Sequence, residues 1–587
     1  MFFAGVIQID VPKVYDNAIL KKYAEQNNPY ETKLLEKHDK NIHIWYSFNK
    51  CISKEEILFL SSGDIKIIVL GNLKPSGISK EKLFHSYKKR SFGQIYKDFK
   101  DEYLIIFFDN HTQRFDIIKS PIARFNVYYK YSDGTMVISS NLDCFLKIGQ
   151  QKTVLDEMNH IKAYLASYLF LSDRLSNSTP YENVFRVMNG TRVRIKGMVK
   201  KVFYLWKPKI PIKSKQTLEG VAEEIRRILN KSLSDFFKTI KDGSEICIFL
   251  SGGYDSSTVA YLVEEIIKKF GYNLNVKYIH YLYQGNGNEM KYVEKIACDT
   301  KRSLYPIKPE KDNAFLSDFL PLRKFVEPNE QVLYGHSESA GEKMGDIFLN
   351  GCGGDHLLLA APESVIGFLS KPCKEWLTMI KNLSEKNHLA SANIILKYAV
   401  KKIKFRFRYR DTYLYDICTK DFCKQYLDKC AISKYPKCFF DELSQKNYER
   451  IYCGSLFPNT EGSGSINFSP FYDQEVIEFC LNIPAYYKYD GLENRIVHKK
   501  AMEDLLPSLI LDRNSKSSNE ESIENSVMNN YQELNEFFSN SFLEDMGIIK
   551  HGKIQDILKQ LELGCCTDIP CAIKILTAEA WIRSWKE

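Results

Sequence analysis

The spacing of apolar and polar positions changes character along this 587-residue chain. Over the first two hundred residues, short runs such as Asp64 to Leu70, Tyr103 to Asp109, Arg114 to Lys119, Val127 to Tyr131 and Met136 to Ser139 are separated by polar turns, among them Ser132-Asp133-Gly134. They predict the short strands of a β-rich unit. Beyond Pro208 to Ser214, read as a linker, the period lengthens. Leu218, Val221, Ala222, Ile225, Ile228 and Leu229 fall on one helical face. Ile246 to Leu250 is too short an apolar run for a helix and suits a buried parallel strand. Val259, Ala260, Leu262, Val263, Ile266 and Ile267 follow at helical spacing, and Asn275 to Leu282 and Asp346 to Asn350 read as further strands. Such alternation predicts a doubly wound parallel sheet. From about residue 364 the pattern is mostly helical. Lys397 to Arg410 carries seven basic residues interleaved with Phe405, Phe407 and Tyr409. It reads as a solvated face or a strand with one basic side, with a grip on acidic peptide as the alternative.

The expected organisation is therefore an α+β domain over 1–210, then an α/β doubly wound domain over 211–587 with a helical C-terminal part. A chain this long predicts several domains and substantial cores. Hydrophobic content of 44% and charged content of 26% are ordinary for globular proteins. The net charge of +9 is modest for this length; it suits an anionic ligand and does not call for nucleic acid. No apolar run approaches a membrane span. The opening Met1 to Asp10 lacks a basic region and meets an acid early, so it reads as a strand and not as a signal peptide. The fifteen cysteines are odd in number and include no Cys-x-x-Cys. They read as scattered reduced thiols of a cytoplasmic protein.

The chemistry concentrates in two glycine-bearing loops. After Leu250 come Ser251, Gly252 and Gly253, whose backbone N–H groups have room to wrap an anion, then Asp255, Ser256 and Ser257 at the start of a helix. Either serine suits the helix cap. No Gly-Lys-Ser/Thr follows, so this is not a Walker A loop. About a hundred residues later, Gly351, Gly353 and Gly354 let the backbone pass close to a ligand, and Asp355 stands at a strand's carboxyl end, where open α/β sheets bind ligands. Asp355 is thus a natural metal ligand. Between the loops, the strand end near Ile279 offers backbone groups for adenine.

Ser251-Gly-Gly-Tyr-Asp-Ser-Ser257 resembles the pyrophosphate loop of the N-type ATP pyrophosphatases, and the pair of loops resembles the asparagine synthetase superfamily. The resemblance implies that residues 250 to 257 hold ATP phosphates and that Asp255 joins Asp355 in binding Mg²⁺. Pro121 to Tyr129, Met136 to Ser140 and Val184 to Trp206 resemble the superfamily's glutaminase-like β sandwich. A working glutaminase uses a cysteine at its processed N-terminus, whereas position 2 here is Phe, so glutamine is not the expected nitrogen donor. Asn467 to Asp473 and Ala501 to Arg513 resemble further superfamily segments, which implies for Lys516 a role in stabilising the acyl-adenylate and tetrahedral intermediate.

Gly351-Cys-Gly-Gly-Asp-His356 departs from the asparagine synthetases, and it has Cys352 where β-lactam synthetases place a tyrosine. With a glutaminase-like domain lacking the thiol, it looks most like the lasso-peptide cyclases. That resemblance implies adenylation of an Asp or Glu side chain in a precursor peptide and attack by the peptide's own N-terminal amine. A leader-peptide protease and a leader-recognition protein are the implied partners. His356, Glu330 and Glu338 are candidate proton acceptors. Two alternatives stand beside this reading: an amide synthetase using a small acid with ammonia or an amine, and a peptide-binding pseudoenzyme.

Overall fold

The computed structural model describes residues 2–8, 17–28, 34–39, 42–47, 51, 57–72, 79–100, 102–132, 135–147, 158–169, 177–197, 199–206, 217–282, 289–307, 328, 345, 347–362, 364–365, 373–408, 412–428, 466–513 and 520–586. Pro208 to Ser214 lies outside them, as do Glu330, Glu338 and Lys516. Among the described residues no helix is long and apolar enough to cross a membrane.

Three sheets form among these residues. The first has the spatial order Val184–Arg186, Tyr128–Ser132, Thr135–Ser139, Phe2–Gln8, Ile42–Ser47, Leu35–Asp39. The second has the order Val199–Tyr204, Thr191–Lys196, Arg114–Lys119, Glu102–Asp109, Ile65–Asn72, Leu58–Ser62. Every pairing in both is antiparallel. Their facing sides share a core of Phe3, Ile42, Ile68, Leu104, Ile106, Phe115, Ile117 and their neighbours, which makes a β sandwich. The predicted strands fall within a residue or two of those observed, and Arg114–Lys119 coincides. Phe3 is fully buried in this core, edge-on to Phe125, and its backbone N–H donates to Ser140 Oγ.

The third sheet is parallel, in the order Leu304–Ile307, Asn275–Tyr281, Glu245–Phe249, Ile347–Leu349, Ile466–Phe468. From the central strand Glu245–Phe249 the chain steps outward one way through the helices Tyr254–Phe270 and Met290–Thr300, and later returns on the other side. That reversal puts the carboxyl ends of Glu245–Phe249 and Ile347–Leu349 side by side. A crevice at such a switch point is where doubly wound sheets hold ligands.

Two apolar cores tie the sandwich to the elements C-terminal to it. The outer face of its second sheet, with Tyr103, Ile105 and Ile118, continues into the core formed by the helix Leu218–Phe237 and the parallel sheet. Trp45, Tyr128 and Val137 of the first sheet, with the helix Met158–Leu169, pack among the C-terminal helices, including Ile569–Lys586. Lys397 is part of the helix Ser391–Arg408, so the strand alternative for the basic stretch is corrected through residue 408. Ile394 and Tyr398, one turn apart, are both buried, and that spacing selects the helix.

Candidate active site

The first loop begins where Leu250 leaves the sheet. Leu250 N–H donates to the Ile279 carbonyl (2.8 Å), and its own carbonyl accepts from His280 Nδ1 (2.7 Å). Because a carbonyl only accepts, Nδ1 of His280 carries the hydrogen. Burial holds the pKa of His280 below its ordinary value. Ile279 is fully buried, and its carbonyl is already engaged by Leu250. Gly252 takes φ +71°, a left-handed conformation that favours glycine.

The helix Tyr254–Phe270 starts earlier than the serine-cap expectation required. Its N-cap is Gly253, without a side-chain cap. Ser256 and Ser257 lie inside the first turn, and both hydroxyls donate back to the Gly253 carbonyl (3.2 and 2.7 Å). Ser256 Oγ also accepts from Ser251 N–H (3.2 Å). The serines thus brace the loop from within, and the correction follows from where the helix begins.

The second loop interlocks with the first. A Cβ on Gly351 would come closer than 3.0 Å to Ser256 N, and one on Gly354 would come closer than 3.0 Å to Asp255 Oδ1. At Gly353, φ is +96° and a Cβ would meet the Tyr472 ring. The three glycines are therefore required by close approach, and Gly353 also by its backbone conformation. Gly354–Leu358 forms a short helix that carries Asp355 and the partly exposed His356. Cys352 is exposed at the turn.

Asp255 and Asp355 meet through a residue with no role assigned from the sequence. Arg495 donates from Nη1 to Asp255 Oδ1 (2.6 Å) and from Nη2 to Asp255 Oδ2 (3.1 Å), and Nη2 also pairs with Asp355. One guanidinium thus offsets the mutual repulsion of two carboxylates. Arg495 itself sits at φ +65°, a conformation that costs a non-glycine residue about 1–2 kcal/mol. Its neighbour Asn494 clasps Ala360, accepting from its N–H (3.1 Å) and donating to its carbonyl (2.9 Å). Behind Asp255 lies His498, fully buried, with Nε2 2.9 Å from Thr258 Oγ1 and Nδ1 3.6 Å from Asp255 Oδ1. Burial first, and the nearby Arg495 second, hold the pKa of His498 well below its ordinary value.

Arg513 was legible as part of a motif, but its task appears only in three dimensions. It donates from Nη1 to the Gly252 carbonyl (2.8 Å) and pairs with Glu289, both side chains nearly buried. The Tyr254 hydroxyl donates to the Leu511 carbonyl. The segment 511–513 therefore grips the first loop from outside. Lys499 and Lys500 pair with Glu493 and Glu503.

A crossing of two glycine loops at a parallel-sheet switch point, with paired carboxylates, is the arrangement expected of a nucleotide site. A model of the asparagine synthase family matches residues 225–414 and 468–583, more than half of the chain and both loops. The chain belongs to the asparagine synthase family. Membership supports an ATP-dependent, AMP-forming ligase that builds amide bonds. No curated protein matches the chain. Among solved structures, the U34-tRNA thiolase NcsA from Methanococcus maripaludis is similar at 14% identity and TM-score 0.18, covering 40% of this chain and 88% of that one. Glutamine phosphoribosylpyrophosphate amidotransferase from B. subtilis is similar at 10% identity and TM-score 0.22, over 52% and 84% of the two chains. A structure described as the allosteric regulatory enzyme of purine biosynthesis gives 10%, 0.21, 52% and 74%.

Proposed function

We propose that the chain is an ATP-dependent peptide macrolactam synthetase of the lasso-peptide cyclase type. In this reading it adenylates an Asp or Glu side chain of a precursor peptide and lets the peptide's N-terminal amine close the ring. The observation that supports its ATP-dependent step is the sharing of the Arg495 guanidinium by Asp255 and Asp355, across two loops that only glycines allow to touch. A cation already stands between these carboxylates, so the donor set suits Mg²⁺. Asp255 and Asp355 are the residues that would hold the ion; among the described residues no group of three or more His, Cys, Asp or Glu side chains forms a metal site. When bound, Mg²⁺ neutralises developing phosphate charge.

The chain's own groups account for the remaining steps. Backbone N–H groups at Gly252, Gly253 and the start of the helix Tyr254–Phe270 receive the phosphates, favoured by the helix dipole. Arg513 and the two serines keep that loop in shape before ATP arrives, so little ordering is left for the bound state. The peptide carboxylate oxygen attacks the α-phosphorus and pyrophosphate leaves. The amine then attacks the acyl carbon, loses a proton to a base such as His356 or Glu330, and AMP departs. Holding amine and acyl carbon together supplies much of the rate.

Lys516 is assigned to the negative charge on the adenylate and the tetrahedral intermediate. In the sequence it follows Arg513, whose side chain anchors the first loop, by three residues. The exposed Cys352, with neither the acid of asparagine synthetases nor the tyrosine of β-lactam synthetases, supports a substrate unlike theirs. The test is to seek a short precursor reading frame among the neighbouring genes and to incubate the peptide it encodes with Mg²⁺, ATP and the protein. Equal AMP and pyrophosphate, with a product lighter by one water, is the expected result. AMP formation only with a small acid and ammonia would replace the reading with an amide synthetase; peptide binding without AMP would replace it with a pseudoenzyme.

A further inference from the structure

The edge strand Ile466–Phe468 and the turn after it touch both the second glycine loop and the N-terminal sandwich. On the loop side, the Phe468 carbonyl accepts from Asn350 N–H (3.1 Å), and Ser469 Oγ donates to the Cys352 carbonyl (2.6 Å). Asn350 Oδ1 accepts from Cys352 N–H (3.0 Å), and Tyr472 lies against Gly353. The backbone that ends in Asp355 is thus held on one side by residues 468 to 472.

On the sandwich side, one arginine meets this strand. Arg124 is bound by Glu102, which accepts from its Nε (2.6 Å) and from its backbone N–H (3.1 Å) and also pairs with its Nη2. That fixes the fork and leaves Nη1 aimed at the Asn467 carbonyl, to which it donates (2.5 Å). The guanidinium carbon lies 5.1 Å from the centre of the Phe468 ring. Phe468 also stacks on Phe236 of the helix Leu218–Phe237 (4.1 Å, 6°). The strand is therefore pinned by a charge-assisted hydrogen bond and by a ring held between a cation and a second ring. The same domain reaches the following helix, Gln474–Asn482, twice more: Trp206 Nε1 donates to Glu478 (2.8 Å), and Gln474 Nε2 donates to the Tyr96 carbonyl (3.1 Å).

We propose that Arg124 is a positioning residue through which the N-terminal domain sets the second glycine loop and the Asp355 carboxylate. The path has three links: Arg124 to the Asn467 carbonyl, Phe468 and Ser469 to Asn350 and Cys352, and the loop to Asp355. It gives the sandwich a task in the nucleotide site that needs no thiol. Its consequence for ATP rests on the reading of Asp355 as a metal carboxylate.

Two measurements on the full chain separate this claim from that reading. The first is hydrogen–deuterium exchange of the ligand-free protein. Arg124→Ala should speed exchange across residues 347–358 while leaving 104–119 unchanged, and Arg124→Lys, which keeps the charge but not the fork, should fall between. Unchanged exchange at 347–358 in the Ala variant overturns the proposal whatever the protein binds. If the Ala variant does not fold, the Lys variant decides the same comparison. The second measurement is ATP binding as MgCl₂ is titrated. Arg124→Ala should raise the Mg²⁺ requirement about tenfold, and should add nothing in an Asp355→Asn background. An unaltered Mg²⁺ requirement beside altered exchange overturns the link to Asp355. Absence of ATP binding in the unmodified protein overturns the nucleotide reading and leaves exchange to decide the positioning.

Discussion

Gly354→Ala isolates the interlocking of the two loops. The residue is buried and outside the left-handed region, so alanine brings no backbone penalty of its own. The added methyl would stand 2.9 Å from Asp255 Cβ, with Oδ1 and Cγ closer still. Ordinary contact begins near 3.4 Å, so the Asp255 carboxylate or the second loop must move by about 1 Å. Overpacking of this kind typically costs about 1–3 kcal/mol. A displacement of about 1 Å at reacting groups can lower turnover by roughly 10²-fold. The assay is AMP release with Mg²⁺, ATP and peptide, run beside thermal unfolding. Gly93→Ala is the control, since a methyl there meets nothing within 4 Å. Unchanged AMP release and unfolding midpoint for Gly354→Ala would refute the close approach of the two loops.

Asp255→Ala and Asp355→Ala should each abolish AMP formation while leaving the circular dichroism spectrum intact; wild-type AMP formation by either folded variant would remove it from the metal site. Arg495→Gln strips the two carboxylates of their shared cation, so the ligand-free protein should lose about 2 kcal/mol of stability and gain more from added Mg²⁺ than wild type does; an equal Mg²⁺ response would contradict the shared position. Lys516→Ala should bind ATP almost normally yet lose roughly 10²–10³ in ring closure, and wild-type closure would return Lys516 to the surface. His280 has a pKa lowered from 6.5 in the folded chain, so the unfolded state takes up the proton first, and stability should fall as pH drops through about 6.5. His280→Gln should flatten part of that slope, and identical pH profiles would refute the assignment.

What could be read from the sequence was local. The strand Glu245–Phe249 was legible because its apolar run stops just before Ser251-Gly252-Gly253, and the helix after it shows its buried face as a run of spaced aliphatics. The two carboxylates were legible because each sits just past a strand and beside glycines. Arg495 was not, since its partners lie 240 residues away in Asp255 and in another loop, and nothing nearby in the chain marks it. His498 and Glu289 are hidden for the same reason. Ser256 and Ser257 read as candidates for the helix cap, but their side chains turn back to Gly253 from inside the first turn because the helix begins at Tyr254. The contact of Arg124 with Asn467 joins positions 343 residues apart and follows from how the sandwich docks.

The central claim is that a peptide carboxylate is activated as its adenylate, and an oxygen label tests it most directly. A candidate precursor peptide, taken from a short reading frame among the neighbouring genes, is prepared with ¹⁸O in its Asp and Glu side-chain carboxylates and turned over with Mg²⁺ and unlabelled ATP. If carboxylate oxygen attacks the α-phosphorus and the amine then displaces AMP, one ¹⁸O must appear in AMP and none in pyrophosphate, while the cyclic product keeps the other ¹⁸O in its new amide and is lighter than the labelled peptide by the mass of H₂¹⁸O. Unlabelled AMP beside a cyclised peptide, or label in inorganic phosphate with ADP as coproduct, would contradict the account.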